Sequence, residues 1–357
     1  MKKSLLSLAL FSAFSAAAIG SAHAQSNVQV YGLIDAGVES INNATATGAG
    51  QVRVISGGKN TSRWGFRGSE DLGGGLKAVF NLEGGILLDT GNLDGVLFKR
   101  QAYVGLDGSY GRLVIGRSFT TAYDFVILFD PLGYAPNYSW ATSTNASGPS
   151  KYGMTTAFDN LVKYSGGMGE FKYGATVGLG EQAGSANDGR KYSVGGSWTH
   201  GPFAAMATYE RINGNAVVVA TGNRDETTAY HLAADYKLTD WRFTAGMRGY
   251  KLVAGRAATA DIKGDTYWGG VSYYIKPAWT LTGAVYHVDV KNVAAGQDAD
   301  PTMYVLRSLY ALSKRTDLYG AVGYAKAKNN KLVSLSRDDP GFAGTQRGIT
   351  AGIQHRF

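Results

Sequence analysis

From Val28 onward the chain alternates apolar and polar positions in one short run after another. Val28, Val30, Ile34, Ala36 and Val38 alternate with Gln29, Tyr31, Leu33, Asp35 and Gly37. Leu76, Ala78, Phe80 and Leu82 alternate with Lys77, Val79, Asn81 and Glu83. Phe171, Tyr173, Ala175 and Val177 alternate with Lys172, Gly174 and Thr176, and Trp241, Phe243, Ala245 and Met247 with Arg242, Thr244, Gly246 and Arg248. The chain closes the same way: Ile349, Ala351, Ile353, His355 and Phe357 alternate with Gln346, Gly348, Thr350, Gly352, Gln354 and Arg356. Successive side chains of a strand point to opposite faces, so each run predicts a strand with one apolar and one polar face. Residues 96–107 and 203–213 alternate poorly, and their facing is open.

The connectors between runs come in two sizes. Short ones are expected at Asp71–Gly75, Gly108–Gly111, Gly166–Gly169, His200–Pro202, Thr239–Asp240, Lys276–Pro277 and Arg315–Asp317. Longer ones are expected near 41–57, 89–95, 120–156, 182–189, 214–223, 254–263, 292–301 and 329–344. Seven short and eight long connectors join sixteen strands. Short turns on one rim and long loops on the other mark an outer-membrane barrel, whose lipid-facing and water-facing residues alternate. The share per strand and connector is roughly 21 residues, which fits tilted strands of about 9–11 residues. A last strand left unpaired would expose a row of donors and acceptors; pairing it with the first removes that edge. Pro131, Pro136, Pro149, Pro202, Pro277, Pro301 and Pro340 all fall in connectors or at their edges, as residues that cannot donate to a ladder should. The expected fold is therefore all-β, a sixteen-stranded antiparallel transmembrane barrel, with no internal domain boundary.

Composition agrees. Glycine numbers 50 and tyrosine 22 of 357 residues, with a mean hydropathy of −0.13. Long helices would not tolerate so much glycine, and no stretch approaches the ~18 apolar residues of a membrane helix. Lys2, Lys3, the apolar run Leu5–Ile19 and the small-residue site Ala22-His23-Ala24 read as a secretory signal over 1–24, with the barrel over 25–357. The absence of cysteine excludes disulfides and thiolate metal sites. The net charge of +8 becomes +6 without Lys2 and Lys3, from 33 basic against 27 acidic residues. These charges scatter along alternating strands instead of clustering, which argues against a nucleic-acid surface.

The stretch Thr61–Glu83, together with Val30–Asp35, Arg100–Leu106, Leu312–Tyr319 and the terminal Phe357, resembles the general diffusion porins of Gram-negative bacteria, of the beta-proteobacterial and neisserial type. The matches run from the first strand to the last. The resemblance implies a homotrimer of barrels in the outer membrane, each with its own water-filled pore, and a third external loop folded inward to narrow it. Here that place is held by 120–156, which carries Asp124, Asp130, Lys151 and the aromatics Tyr123, Tyr134, Tyr138, Trp140 and Tyr152. The family's constriction sets wall arginines against acidic loop groups. By resemblance the arginines are Arg63 and Arg100, and a wall carboxylate is Glu83. A third arginine of anion-selective relatives falls on Ala157, and Lys163 further along is its partial replacement. That departure implies weak to moderate anion selectivity.

Fixed guanidinium groups at a narrow, wet constriction lower the barrier for anions. Arginine suits the task because it stays charged at any relevant pH. Parity puts Arg63, Arg67, Lys77, Lys172, Lys191, Arg242, Arg248 and Arg307 on the water face, with the acids Asp35, Glu83, Asp159 and Asp235. An arginine on the lipid face would cost about 2–4 kcal/mol at mid-membrane. Trp64, Tyr103, Tyr164, Trp198, Tyr236, Trp241, Tyr273 and Trp279 are expected to form interfacial girdles.

Catalytic constellations are missing. His200, His231, His287 and His355 lack zinc-ligand spacing, no serine sits in a G-x-S-x-G elbow, and no cofactor is implied. The leading reading is a porin for passive diffusion of small hydrophilic solutes and anions. Its rival is a substrate-specific channel on the same barrel, suggested by the aromatic loop. An outer-membrane enzyme and a plugged structural barrel rank below both. Expected partners are further copies of the chain, outer-membrane lipid and lipopolysaccharide, and the assembly machinery that reads Phe357.

Overall fold

The computed structural model describes residues 27–141, 155–337 and 339–357. The expected signal segment, Lys151, Tyr152 and Pro149 lie outside the described residues. Seventeen strands follow in order: β1 Asn27–Ile41, β2 Gln51–Ser56, β3 Arg63–Gly73, β4 Leu76–Gly85, β5 Gln101–Gly108, β6 Gly111–Phe119, β7 Ala157–Met168, β8 Phe171–Gly178, β9 Lys191–His200, β10 Phe203–Asn213, β11 Glu226–Leu238, β12 Trp241–Val253, β13 Ile262–Lys276, β14 Trp279–Lys291, β15 Thr302–Ala311, β16 Thr316–Lys326 and β17 Thr345–Arg356. A short helix, α1 (Thr121–Val126), and one 3-10 turn (Ile127–Phe129) begin the longest connector.

From β3 onward each strand pairs antiparallel with the next, and β1 pairs with β17 from Leu33↔Arg356 to Ile41↔Gly348, closing the barrel. Sixteen wall positions suffice for seventeen segments because β2 and β3 share one: β1 pairs with β2 over Ala36–Ile41 and with β3 over Asn27–Leu33. The sequence reading placed the whole of 41–57 in a loop. The structure ends that loop at 50, and the brief alternation Val52-Arg53-Val54-Ile55 forms β2. The break at 57–62 starts at Gly57 (φ 85°), where a Cβ would meet the Asn60 carbonyl at 2.8 Å. β1 and β13 reach 15 residues each, longer than the expected length, and so carry pairing beyond the apolar band.

The faces are inverted relative to a soluble protein. On β17, Ile349 and Ile353 are 58% and 47% exposed, whereas Gln346, Thr350 and Gln354 are buried. The poorly alternating 203–213 resolves cleanly, with Met206, Thr208 and Glu210 inward and Ala205, Ala207 and Tyr209 outward. All six described prolines lie outside strands.

Two facing assignments need correction. Tyr103 shares the inner face of β5 and packs on Val114, Phe158 and Leu161, so it belongs to no outer girdle. Asp159 falls in an irregularity where β6 and β7 shift register; it is more than half exposed and ion-pairs with Arg117. A bulge adds one residue to one strand and so resets the parity beyond it. Apart from Trp64, at the start of β3, the other aromatics gather near the short turns, where Trp241 stacks on Tyr273 (4.3 Å) and Phe203 tilts against Tyr236 (4.6 Å).

The barrel contains a hydrophobic core. Phe125, Val126, Phe129, Leu132, Tyr138 and Trp140 from the longest connector bury against Met206, Trp268, Tyr286, Met303 and Val305 on the inner wall. Each such side chain contributes roughly 1.5–3 kcal/mol. Small wall residues make room for it: a Cβ at Gly323 would meet the Tyr138 ring at 2.6 Å.

Candidate pore constriction

Three adjacent strands bring the central groups together. Arg63 opens β3 directly after the break, Glu83 lies near the end of β4, and Arg100 immediately precedes β5. Register sets Glu83 opposite Gly65 and Gln101, two positions from Arg63's partner Gly85 and across from the neighbour of Arg100. Arg100 Nε donates to Glu83 Oε1 at 2.7 Å, and its backbone N–H donates to the Glu83 carbonyl at 3.2 Å. Arg63 Nε lies 3.8 Å from Glu83 Oε2, and its Nη1 donates to the Thr61 carbonyl at 3.1 Å. The Tyr31 hydroxyl donates to Glu83 Oε2 at 2.7 Å. Two guanidinium groups thus share one nearly buried carboxylate, and the cluster keeps one net positive charge.

Tyr123 and Tyr134 of the longest connector line the same cavity as Arg100. Thr120 caps α1 by accepting from the Tyr123 N–H at 3.0 Å. The Arg100 guanidinium lies over the Phe119 ring at 5.1 Å. Lys163 Nζ donates to the Phe119 carbonyl at 2.9 Å and ion-pairs with Asp124. Burial pushes the Asp124 carboxyl up, and the Lys163 ammonium opposes that shift. Lys163 therefore joins the loop to the wall and is neutralised there, six residues from Ala157.

Two other expected pore acids have internal partners. Asp130 is buried: its Oδ1 accepts from the Tyr286 hydroxyl at 2.5 Å and the Leu132 N–H at 3.1 Å, and its Oδ2 from the Tyr134 N–H at 2.6 Å. Asp35 is fully buried and accepts from the Tyr319 hydroxyl at 2.7 Å and the Asn60 N–H at 2.9 Å. Neither carboxylate reaches open water. Asp130 holds the long connector, and Asp35 holds the 57–62 break against β1. Arg242, which ion-pairs with Asp235, and Arg307, which donates to the Leu132 carbonyl at 2.9 Å, hold the same connector's wall.

A cavity of about 710 Å³ opens above the cluster, lined by Arg53, Lys99, Arg100, Phe119, Tyr123 and Tyr134 among others. Most of its charges pair locally: Arg53 with Glu39 (2.7 Å) and Asp339 (2.5 Å), and Lys99 with Asp94 (2.5 Å). The sequence reading missed Tyr31, Phe119 and Arg53. Tyr31 shares parity with Asp35, and Arg53 alternates with Val52 and Val54, so both carried a signal.

A closed barrel, polar within and apolar without, is a fold that known proteins share. A family model described as Gram-negative porin matches residues 9–330. The chain belongs to the Gram-negative porin family. It is 32% identical to outer membrane porin protein 32 of Delftia acidovorans, over the full length of both chains. Among solved structures, an anion-selective porin from Comamonas acidovorans superposes with a TM-score of 0.79 at 26% identity, covering 93% of this chain and all of that one. The trimer form of OmpT from Vibrio cholerae, at 16% identity and a TM-score of 0.69 over 93% of this chain and 99% of its own, shares the fold. This porin is a diffusion channel of the outer membrane.

Proposed function

We propose that this porin passes small hydrophilic solutes and ions with a weak to moderate preference for anions, and that residues 120–141 narrow its lumen. The observation that carries the reading is the surplus charge of Arg63 and Arg100 over Glu83, with Arg100 lining the cavity. Fixed positive charge at a narrow point sets the sign of the preferred ion. The Comamonas structure, described as anion-selective, supports the sign. The absence of arginine at 157 and the neutral Lys163–Asp124 pair support a moderate strength. The test is the reversal potential of the purified protein in a planar bilayer under a salt gradient. An anion-side value is expected; a cation-side value would reject the preference, and no conductance would reject the open channel.

A solute-selective channel is the second reading, favoured by Phe119, Tyr123 and Tyr134 along the cavity. Phe119 stacks on Tyr123 at 4.5 Å, leaving an aromatic surface beside the arginines. Current block by an aromatic acid would favour it.

The homotrimer also belongs to this reading. Exposed apolar residues on β17, β1, β2, β5 and β6 are aliphatic, such as Ile353, Val30, Val54, Val104 and Ile115, whereas β8–β15 expose Trp198, Trp241, Tyr267, Trp279 and Tyr304. Aromatic side chains favour the membrane–water interface, so the aliphatic wall is the side that meets other copies. Phe357 couples assembly to closure: its N–H and carbonyl both bond Gly32 at 3.1 Å. Deleting Phe357 should lower the yield of assembled trimer in cells, read on native gels; an unchanged yield would refute this role. Cleavage after Ala24 completes the reading and is checked by N-terminal sequencing of the membrane form.

A further inference from the structure

A second polar space lies in the barrel towards the short turns. It measures about 340 Å³ and is lined by Asn27, Gln29, Arg67, Asn81, Tyr103 and Arg112 among others. Arg67 and Arg63 share one face of β3, four residues apart, which is about 13 Å along a strand. Register places Gln29 opposite Arg67, and the Gln29 side-chain Oε1 accepts from Arg67 Nε at 2.9 Å and Nη2 at 2.8 Å. The guanidinium lies over the Tyr31 ring at 4.7 Å. Because the Tyr31 hydroxyl bonds Glu83, one chain of contacts runs from Arg67 to the constriction.

The charges in this space are unequal. Arg112 donates from Nε to Asp107 at 3.1 Å and forms an ion pair with it. Arg67 has only neutral partners, Gln29 and Tyr31, and no ion pair among the described residues. It is exposed on the inner face, so its charge and its Nη1 donors are offered to the passage. A guanidinium whose fork is held by a side-chain amide and stacked on a ring is pre-organised for oxyanions.

We infer that Arg67, positioned by Gln29 and Tyr31, forms a second anion station on the short-turn side, taking small oxyanions such as carboxylates and sulfate. This rests on the channel reading and adds a step to it. Conduction needs sites that hold an ion weakly and pass it on. A spacing of about 13 Å exceeds the ~10 Å screening length of 0.1 M salt, so each station keeps its own affinity. An anion released at Arg63 and Arg100 then meets a second basic site before the exit.

The test compares the full-length protein with Arg67→Gln and Arg67→Lys in planar bilayers. Losing one charge beside the path should lower the anion-to-cation permeability ratio by about threefold in 0.1 M potassium chloride. The change should vanish at 1 M salt, where the screening length is about 3 Å. Arg67→Lys should keep the chloride ratio yet weaken current block by added sulfate, because the fork is gone. An Arg67→Gln ratio equal to the parent's at low salt, or sulfate block unchanged in both variants, would overturn the second station. A parent protein that fails to conduct, or prefers cations, would instead overturn the channel reading beneath it.

Discussion

Exchanging Arg63 and Arg100 together for serine moves the reversal potential from the anion side to the cation side. The cluster is two guanidinium groups around one carboxylate, so the exchange takes its net charge from +1 to −1. A unit charge acts on an ion about 6 Å away with about 0.7 kcal/mol in bulk-like water, so two removed charges amount to about 1.4 kcal/mol, a factor of about ten in permeability ratio. The true medium beside a wall is less polar than water, which enlarges the effect. Glu83 would lose both cationic partners but keep the Tyr31 hydroxyl, so it stays placed to act on passing cations. Single exchanges should show roughly half the shift. The loss of side-chain volume should also raise conductance. Reversal potentials that stay at the parent value in both singles and the double would remove this cluster from the selectivity of the pore.

Asp130→Ala should release the inner segment and give a larger, noisier channel. Asp130 accepts from the Tyr286 and Ser139 hydroxyls and from the Leu132 and Tyr134 N–H groups, and its carboxylate is buried. Leaving a buried donor without a partner costs about 1–3 kcal/mol each. With four such donors the loss is several kcal/mol, comparable to burying one or two of the apolar side chains that hold the segment. The barrel itself does not depend on Asp130, since every ladder bond lies in the walls. The expected signature is a raised mean conductance with frequent excursions between levels, on a barrel that still assembles. Tyr286→Phe removes only one of the bonds and should give a smaller effect in the same direction. Quiet single-channel traces of parental size from both variants would show that the segment does not depend on this anchor.

The two predictions differ in how far the sequence could have supplied them. Arg63 and Glu83 lie on faces set by period-two alternation, and the resemblance over Thr61–Glu83 singles them out in the sequence. Arg100 lay in a stretch that alternates poorly, and the resemblance alone marked it. The role of Asp130 was not visible. As one acid in a loop rich in aromatics it read as a pore-facing charge, and the residue that claims it, Tyr286, is 156 positions away. Asp35 followed the same course, because its partner Tyr319 is 284 positions away. Parity correctly put Asp35 on the inner face, yet an inner face can be covered, and the 57–62 break covers it.

Alternation, the count of connectors and the need to pair the last edge determined a closed barrel of sixteen wall positions with its polar side inward. That information is local: in a strand the side-chain period is two, and lipid outside and water inside sort the two faces run by run. Connector lengths determined which rim carries the long loops. Only the tertiary structure decided which inward charges meet the passage and which are consumed within the wall. A carboxylate's role depends on the donors that reach it, and closing the barrel brings those donors from strands far away in sequence. It therefore gathered Arg63 and Arg100 on one carboxylate, left Arg67 with neutral partners, and turned Asp35 and Asp130 into anchors.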